Sequence, residues 1–468
     1  MRNGRAHNGN GHPSIPPEGR GTSVTGGNVS PVRVLTAVPL CDGHDSAIST
    51  INIELVRHGV EVVYLGYHRS VRDVVRAAVQ EDVRAVGISS YNGGHVEFFS
   101  AVVAGLRKEG ANDVTVLGGG GGTITRDDER AMTRRGVDRI FFPGDSLEEI
   151  VTYVRSSDRP KQAGAEPHGL RPKRRPGSSA DRELARALTR AELGGRGSVR
   201  AASARGRLSD IESPSSADKN ARPAEPLVIG VTGPGGAGKT TLIDELIFRL
   251  LTRNPAARIA VLSHDPSLVS AGALLGDRAS MIYANDDRVF MRSLGTRGHA
   301  GGIAAATARC LAALRTARPA FDVVFVETVG TGQEAAPFAR EPLVDRTLLV
   351  MSPDYGARLQ LQKIAALDVA DVIAVNKGDL GPARTAVAEI GRRAAGIPLV
   401  STIAKRHGDR GVDQLLDLLV RSPDSRPGLA ASAASGSRNA ATPPKKARHR
   451  ASAAKPQAAE RARKAVRK

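Results

Sequence analysis

The run GPGGAGKTT, Gly233 to Thr241, carries the spacing G-x-x-x-x-G-K-[ST] between Gly233 and Thr240. Gly233, Gly235, Gly236 and Gly238, with the small Ala237, let a loop turn its backbone N–H groups onto phosphate oxygens. A helix starting at such a loop adds its positive N-terminal end, and Thr241 lies in that first turn. Lys239 then reaches the β- and γ-phosphates, and the Thr240 hydroxyl binds Mg²⁺. The apolar LVIGVTG before the run and TLIDELIFRL after it supply the strand and helix that the pattern requires. The chemistry predicted is phosphoryl transfer from a nucleoside triphosphate to water.

Two acidic strand ends supply the metal side. Asp265 follows a strand in LSHDPS, and Glu327 follows another in FVETVGTGQE. Carboxylates so placed hold Mg²⁺ directly or through water; Gly330 is placed to sense the γ-phosphate and Gln333 to orient the attacking water. The plainer reading is that Asp265 and Glu327 cap helices. Asn376-Lys377-Gly378-Asp379 closes the strand VIAVNKGD and resembles the guanine-reading element of G proteins. The Asp379 carboxylate accepts from the ring N–H and exocyclic amine of guanine, a pair that adenine does not offer, so GTP is the nucleotide expected. Asn376 serves either guanine N7 or the phosphate loop. Arg292 and Arg297, in MRSLGTRGHAGGIA, read either as a solvated loop or as a switch answering the γ-phosphate.

A different chemistry is written in CDGHDSA, Cys41 to Ala47, just after the apolar run VRVLTAV. A metal-bound imidazole gives its other N–H to a carboxylate, and Asp42 stands two residues from His44. No second His or Cys lies nearby, so a protein-caged zinc is not expected. Two readings stay open from the residues alone: a turn histidine satisfied by Asp42 or Asp45, and a single axial ligand to a metal that brings its own equatorial set. SSYNGGH (Ser89–His95) and LGGGGGT (Leu117–Thr123) fall at carboxyl ends of expected parallel strands, where open α/β sheets bind ligands. Glycines there, Gly121 and Gly122 among them, clear side chains from the path of a flat, bulky group. His58 and His95 read as helix-surface or capping residues.

Two sets of elements must hold these motifs. Residues 31–157 alternate β-branched runs with helix-period segments, which predicts a doubly wound parallel sheet, flavodoxin-like in class. Residues 224–424 repeat that alternation as a P-loop α/β domain. Residues 1–30 read as a disordered leader, 158–223 as a basic linker in which DRELARALTRAEL forms one helix, and 425–468 as a disordered basic tail. The formal net charge of +19 is concentrated in those three segments, so the folded parts show no basic face for nucleic acid, and any such contact is confined to the tail. Cys41 and Cys310, the only two cysteines, cannot build a disulfide framework, which fits a reducing cytoplasm. No apolar run is long enough to span a membrane.

The set GPGGAGKTT, HDPS, ALLGDR, RSLGTRGHAGG, ETVGTGQ and NKGD resembles the G-protein chaperones of adenosylcobalamin-dependent acyl-CoA mutases over nearly all of residues 227–421. Asp42-x-His44-x-x-Ala47, Ser89-x-Tyr91 and Gly121-Gly122 resemble the cobalamin-binding domain of such mutases, with Ala47 and Tyr91 departing from the common pattern. The order of the two parts resembles the fused isobutyryl-CoA mutase family. The resemblance implies His44 as the axial cobalt ligand oriented by Asp42, and Ser89, Gly121 and Gly122 around the displaced base of the cofactor. It implies adenosylcobalamin, GTP and Mg²⁺ as ligands, with Thr240, Asp265 and Glu327 at magnesium and Lys239, Glu327 and Gln333 in catalysis. The short low-complexity stretch after Val420 cannot form a (β/α)₈ barrel, which takes roughly 250 residues. The acyl-CoA-binding barrel is therefore expected on a separate subunit, in a homo- or hetero-oligomer, the other reading being a truncated gene product. Two other functions compete: a cobalamin sensor whose basic tail binds nucleic acid, and a metal-insertion GTPase.

Overall fold

The apolar runs of the sequence form strands, and in the central ones almost every residue is buried, which is the mark of sheets covered on both faces. In the computed structural model the described residues are 32–40, 46–156, 179–194, 225–267, 272–330, 338, 343–355 and 365–421. The first sheet contains β1 (Arg33–Ala37), β2 (Glu61–Tyr64), β3 (Ala85–Ser89), β4 (Thr115–Gly119) and β5 (Arg139–Phe141). The helices between and after them are α1 (Ser46–Arg57), α2 (Val71–Gln80), α3 (His95–Lys108), α4 (Arg126–Arg135) and α5 (Leu147–Ser156). Ser70 with Asp73, and Thr125 with Asp128, form capping boxes that start α2 and α4.

The second sheet has seven parallel strands, ordered β13-β12-β11-β6-β10-β7-β9. They are β6 (Leu227–Thr232), β7 (Ile259–Asp265), β9 (Val289–Gly295), β10 (Val323–Glu327), β11 (Arg346–Met351), β12 (Val372–Val375) and β13 (Leu399–Ser401). Helix α7 (Lys239–Arg253) follows β6 and buries Leu242, Ile243, Leu246 and Ile247 against the sheet. Helix α9 (Thr307–Arg315) packs on the other face through Cys310, Leu311 and Leu314.

Two features join the parts more closely than the sequence suggested. The ALL of ALLGDR forms β8 (Ala273–Leu275) and pairs in parallel with β2, so the first sheet runs β5-β4-β3-β1-β2-β8. Its pleat puts Ala273 and Leu275 into the core of the first domain. The one-turn helix α8 (Asp277–Ser280) follows directly. The expected linker helix is present as α6 (Ala180–Glu192), but it is not a free spacer. Ala185 and Leu188 are buried among Phe290, Cys310, Leu311 and Leu314 of the second domain. Its polar edge grips the first domain: Arg182 and Arg186 pair with Asp113, and Thr189 donates to Asp82 across 2.7 Å. Helical spacing in DRELARALTRAEL alone could not reveal which surface would cover the Ala185–Leu188 stripe.

Candidate functional site

The loop between β6 and α7 stands at the centre of the second sheet, where strand order reverses on either side of β6. Gly233, Gly236 and Gly238 all have positive φ. At Gly238 an added Cβ would lie 2.4 Å from Asn376 Nδ2, so the loop and the NKGD turn are pressed together. Asn376 Nδ2 donates to the Ala237 carbonyl (3.0 Å), while its Oδ1 accepts from Ala404 N (3.0 Å) and Thr402 Oγ1 (3.2 Å). Asn376 is thereby tied to the loop between β6 and α7. Gly235 and Gly236 stay open toward solvent, and Thr241 is exposed. Lys377 adopts a left-handed φ of 59°, which turns the chain so that Asp379 is exposed at the tip.

Beneath the loop lies an acidic cluster. Thr240 Oγ1 donates to Glu327 Oε1 across 2.6 Å. Glu327 Oε2 and Asp265 Oδ2 are buried without a hydrogen-bond partner. Burial pushes Glu327 up to about 8, and Asp277 adds to the shift. Burial likewise pushes Asp265 up to about 8, again with Asp277 next in weight. Asp277 itself, bonded by the Ser263 hydroxyl, is also raised by burial. Lys239 Nζ donates to the carbonyls of Gly233 (3.2 Å) and Pro234 (3.4 Å), and burial lowers its pKa. Two buried carboxyls and the half-buried Asp277 thus neighbour one amine. The site lacks positive charge, and two orphaned oxygens point at what would supply it. Among the described residues no three His, Cys, Asp or Glu side chains enclose a metal by themselves. That suits Mg²⁺, which keeps waters and phosphate oxygens and takes only one or two carboxylates.

Backbone contacts complete the pocket. Gly330 lies so close to the phosphate loop that a Cβ on it would sit 2.7 Å from Gly235 Cα. His264, pushed down to about 4 by burial and hence neutral, donates from Nδ1 to the Glu327 carbonyl (2.7 Å) and fixes the end of β10. Gln333 lies outside the described residues.

Two site residues escaped sequence reasoning. Asp277 sits in the ALLGDR stretch, whose role in the site depends on a chain path that spacing does not show. Lys405 Nζ lies 2.7 Å from Asp379 Oδ2 and holds that carboxylate below its ordinary range; a lone lysine after an apolar strand carries no signal. The γ-phosphate switch expected of Arg292 and Arg297 is not where the structure puts them. Arg292 is buried, with Nη2 2.5 Å from Glu192 Oε1, and Arg297 pairs with Glu61 (2.7 Å) and Glu192 (3.2 Å). Buried carboxylates on the first domain and α6 outcompete a solvent-facing role.

In the first sheet, β4, β3 and β1 are neighbours. SSYNGGH and LGGGGGT, at the carboxyl ends of β3 and β4, therefore lie side by side, and β1 lies at the point where strand order reverses. Ser89 ends β3 and is buried, and the neighbouring Ser90 hydroxyl is buried without a partner. Ser90 N donates to Gly119 O (2.9 Å), and a Cβ at Gly120 would fall 1.6 Å from Ser90 O. The Tyr91 ring lies over Gly121, and Gly122 is open with φ 96°. The shelf is therefore covered by the Tyr91 ring at Gly121 and open at Gly122, so a flat, bulky ligand would meet that ring first. His95, expected as a surface or capping residue, is buried and reaches Asp128 of the α4 cap (3.2 Å), clasping the two loops of the shelf. Asp42 and His44 lie outside the described residues.

Comparison with known families agrees with this geometry. The family model "B12 binding domain" matches residues 32–151, and "Methylmalonyl Co-A mutase-associated GTPase MeaB" matches residues 184–408. The two matches follow one another along the chain in that order. The first domain therefore supports cobalamin binding and the second GTP binding. Three similar proteins are each named fused isobutyryl-CoA mutase. That of Cupriavidus metallidurans is 39% identical over 86% of this chain and 36% of its own length. Those of Geobacillus kaustophilus and Nocardia farcinica are 34% and 37% identical, over 85% and 83% of this chain and 37% and 36% of their own lengths. The chain spans about a third of the length of these relatives. No helix among the described residues is long and apolar enough to cross a membrane.

Proposed function

We propose that this chain is the cobalamin-carrying, GTP-hydrolysing part of an acyl-CoA mutase of the isobutyryl-CoA mutase type. In this reading the GTPase domain gates loading of the cofactor. The partner of the B12-binding domain is an acyl-CoA-binding barrel, in a homo- or hetero-oligomer. The names of the relatives support the mutase assignment. The observation that carries the GTPase part is the pair of orphaned oxygens, Asp265 Oδ2 and Glu327 Oε2, beside Thr240 under the phosphate loop.

Lys239 and the N–H groups from Gly235 to Thr241 hold the phosphates of GTP in place. Thr240, Asp265 and Glu327 would hold Mg²⁺, which neutralises charge developing on the transferred phosphoryl group. Gln333 orients the attacking water. Asp379 selects guanine, and Lys377 shapes the turn that presents it. On the first domain His44, with Asp42 behind it, would ligate cobalt, while Ser89, Gly121 and Gly122 receive the base of the cofactor. Adenosylcobalamin, when bound, supplies the radical chemistry of carbon-skeleton rearrangement. The free, buried thiol of Cys310 suits a reducing, cytoplasmic setting.

The experiment is a His44→Ala variant titrated with adenosylcobalamin and followed by visible absorption. Tight binding is lost while GTP hydrolysis continues; an unchanged affinity refutes the axial role. Co-purification with an acyl-CoA-binding subunit separates this function from that of a sensor or a metal-insertion GTPase.

A further inference from the structure

The carboxylate Asp277 reaches the nucleotide site by an unusual path. After Asp265 the chain leaves the second sheet, adds β8 to the first sheet, turns through α8, and only then returns to form β9. Asp277 is thus delivered from the first domain. The register Glu61↔Ala273, Val62↔Leu274 and Val63↔Leu275 fixes the approach. Gly272 fixes it further, since a Cβ there would lie 1.9 Å from Val60 O.

The residues flanking Asp277 are held by the same domain. Arg69, in the loop between β2 and α2, donates from Nη2 to Ala279 O across 2.7 Å. Arg278 is fully buried; its Nε donates to Glu81 Oε1 (3.2 Å) and its Nη2 to Gln80 Oε1 (3.0 Å), both at the C-terminal end of α2. Glu81 also accepts from Ser293 N (3.0 Å) and Ser293 Oγ (3.1 Å) on β9. Asp277 is therefore clamped on both sides by first-domain groups, while its own carboxylate accepts from Ser263 on β7. A carboxylate serving a metal must be held within about 0.5 Å, so whatever sets its backbone sets its action.

We infer that Arg69, Gln80 and Glu81 of the B12-binding domain are positioning residues of the GTPase site, acting through Asp277. The GTPase domain does not own its complete metal environment; one wall of it is built by the neighbour. The loop that carries Arg69 also carries His68, whose Nδ1 is 3.0 Å from Leu40 O, the residue before the CDGHD sequence. One loop thus touches the segments that lead to both sites, which gives the state of the first domain a direct route to Mg²⁺ at the second. The inference rests on the reading of Thr240, Asp265 and Glu327 as the Mg²⁺ site, with Asp277 beside it on Ser263.

The test uses the full chain loaded with N-methylanthraniloyl-GDP and titrated with Mg²⁺ by fluorescence, alongside GTP hydrolysis. Glu81→Gln keeps the shape and removes the charge facing Arg278. It should raise the Mg²⁺ midpoint by about tenfold and lower kcat, with KM for GTP unchanged. Arg69→Met, a milder change, should move both in the same direction and decides the matter if Glu81→Gln does not fold. In an Asp277→Asn background the Glu81 change should add nothing. An unmoved midpoint in folded variants, or fully additive losses, overturns the inference while leaving the site reading intact. A wild-type chain whose nucleotide signal ignores Mg²⁺ overturns the site reading and the inference together.

Discussion

Thr240 and Glu327, 87 residues apart in the chain, meet across 2.6 Å, hydroxyl to carboxylate. The contact joins the first turn of α7 to the end of β10 and leaves the second Glu327 oxygen without a partner. A hydroxyl and a carboxylate bonded to each other while a buried oxygen stays orphaned is an arrangement that a shared cation would complete.

The acid cluster makes stability depend on pH in a defined sense. Glu327 moves from an ordinary 4.5 to about 8, and Asp265 from 3.8 to about 8, burial being the first cause in each. The folded chain then holds protons that the unfolded chain has released, so stability falls as pH rises between those values. His264, lowered by burial from 6.5 to about 4, acts in the opposite sense below pH 6.5 and is silent above it. From pH 6.5 to about 8 the melting temperature in EDTA should therefore fall, and Mg²⁺ with GDP should flatten the dependence. A profile in EDTA that is flat or rising across that window would count against the buried acid cluster.

The proposed function assigns base selection to Asp379. Asp379→Asn should weaken GTP about tenfold and admit xanthosine triphosphate, since the amide offers one acceptor and one donor where guanine needs two acceptors. Competition against fluorescent GDP measures it. Unchanged preference rejects the base-reading role. Lys405→Met, which frees the carboxylate, should keep guanine selectivity.

The joint between the domains should be sensitive to acid and to loss of one carboxylate. Burial opposes the charge of Glu192, but Arg33 and then Arg292 outweigh it and hold it at about 2. Its contribution is complete above the ordinary 4.5 and is lost as pH falls toward 2. Glu192→Gln leaves Arg292 buried without its carboxylate and should cost about 3 kcal/mol in urea denaturation. An unshifted midpoint would mean that the cluster reorganises around Glu61 and Glu81 without penalty.

Much of the nucleotide site was legible in the chain because it is local. From Gly233 to Thr241 one loop carries the glycines, the lysine and the hydroxyl, and Asn376 to Asp379 are another short turn. Strands and helices followed from apolar runs and their period. The ion pairs of Arg292, Arg297 and Arg278 were not legible, since each partner lies some 100 to 236 residues away on another element. A buried arginine and an exposed one look alike in a sequence.

The amino-acid order alone therefore determined two parallel α/β sheets, the glycine-rich loop after β6 and the NKGD turn after β12, because backbone freedom and hydrophobic period act over a few residues. Only the tertiary structure decided that ALLGDR would lend a strand to the first sheet, that α6 would be wedged between the domains, and that Asn376 would be tied to the loop between β6 and α7. Those outcomes depend on which surfaces meet, and burial of apolar stripes and pairing of buried charge are settled between elements distant in the chain.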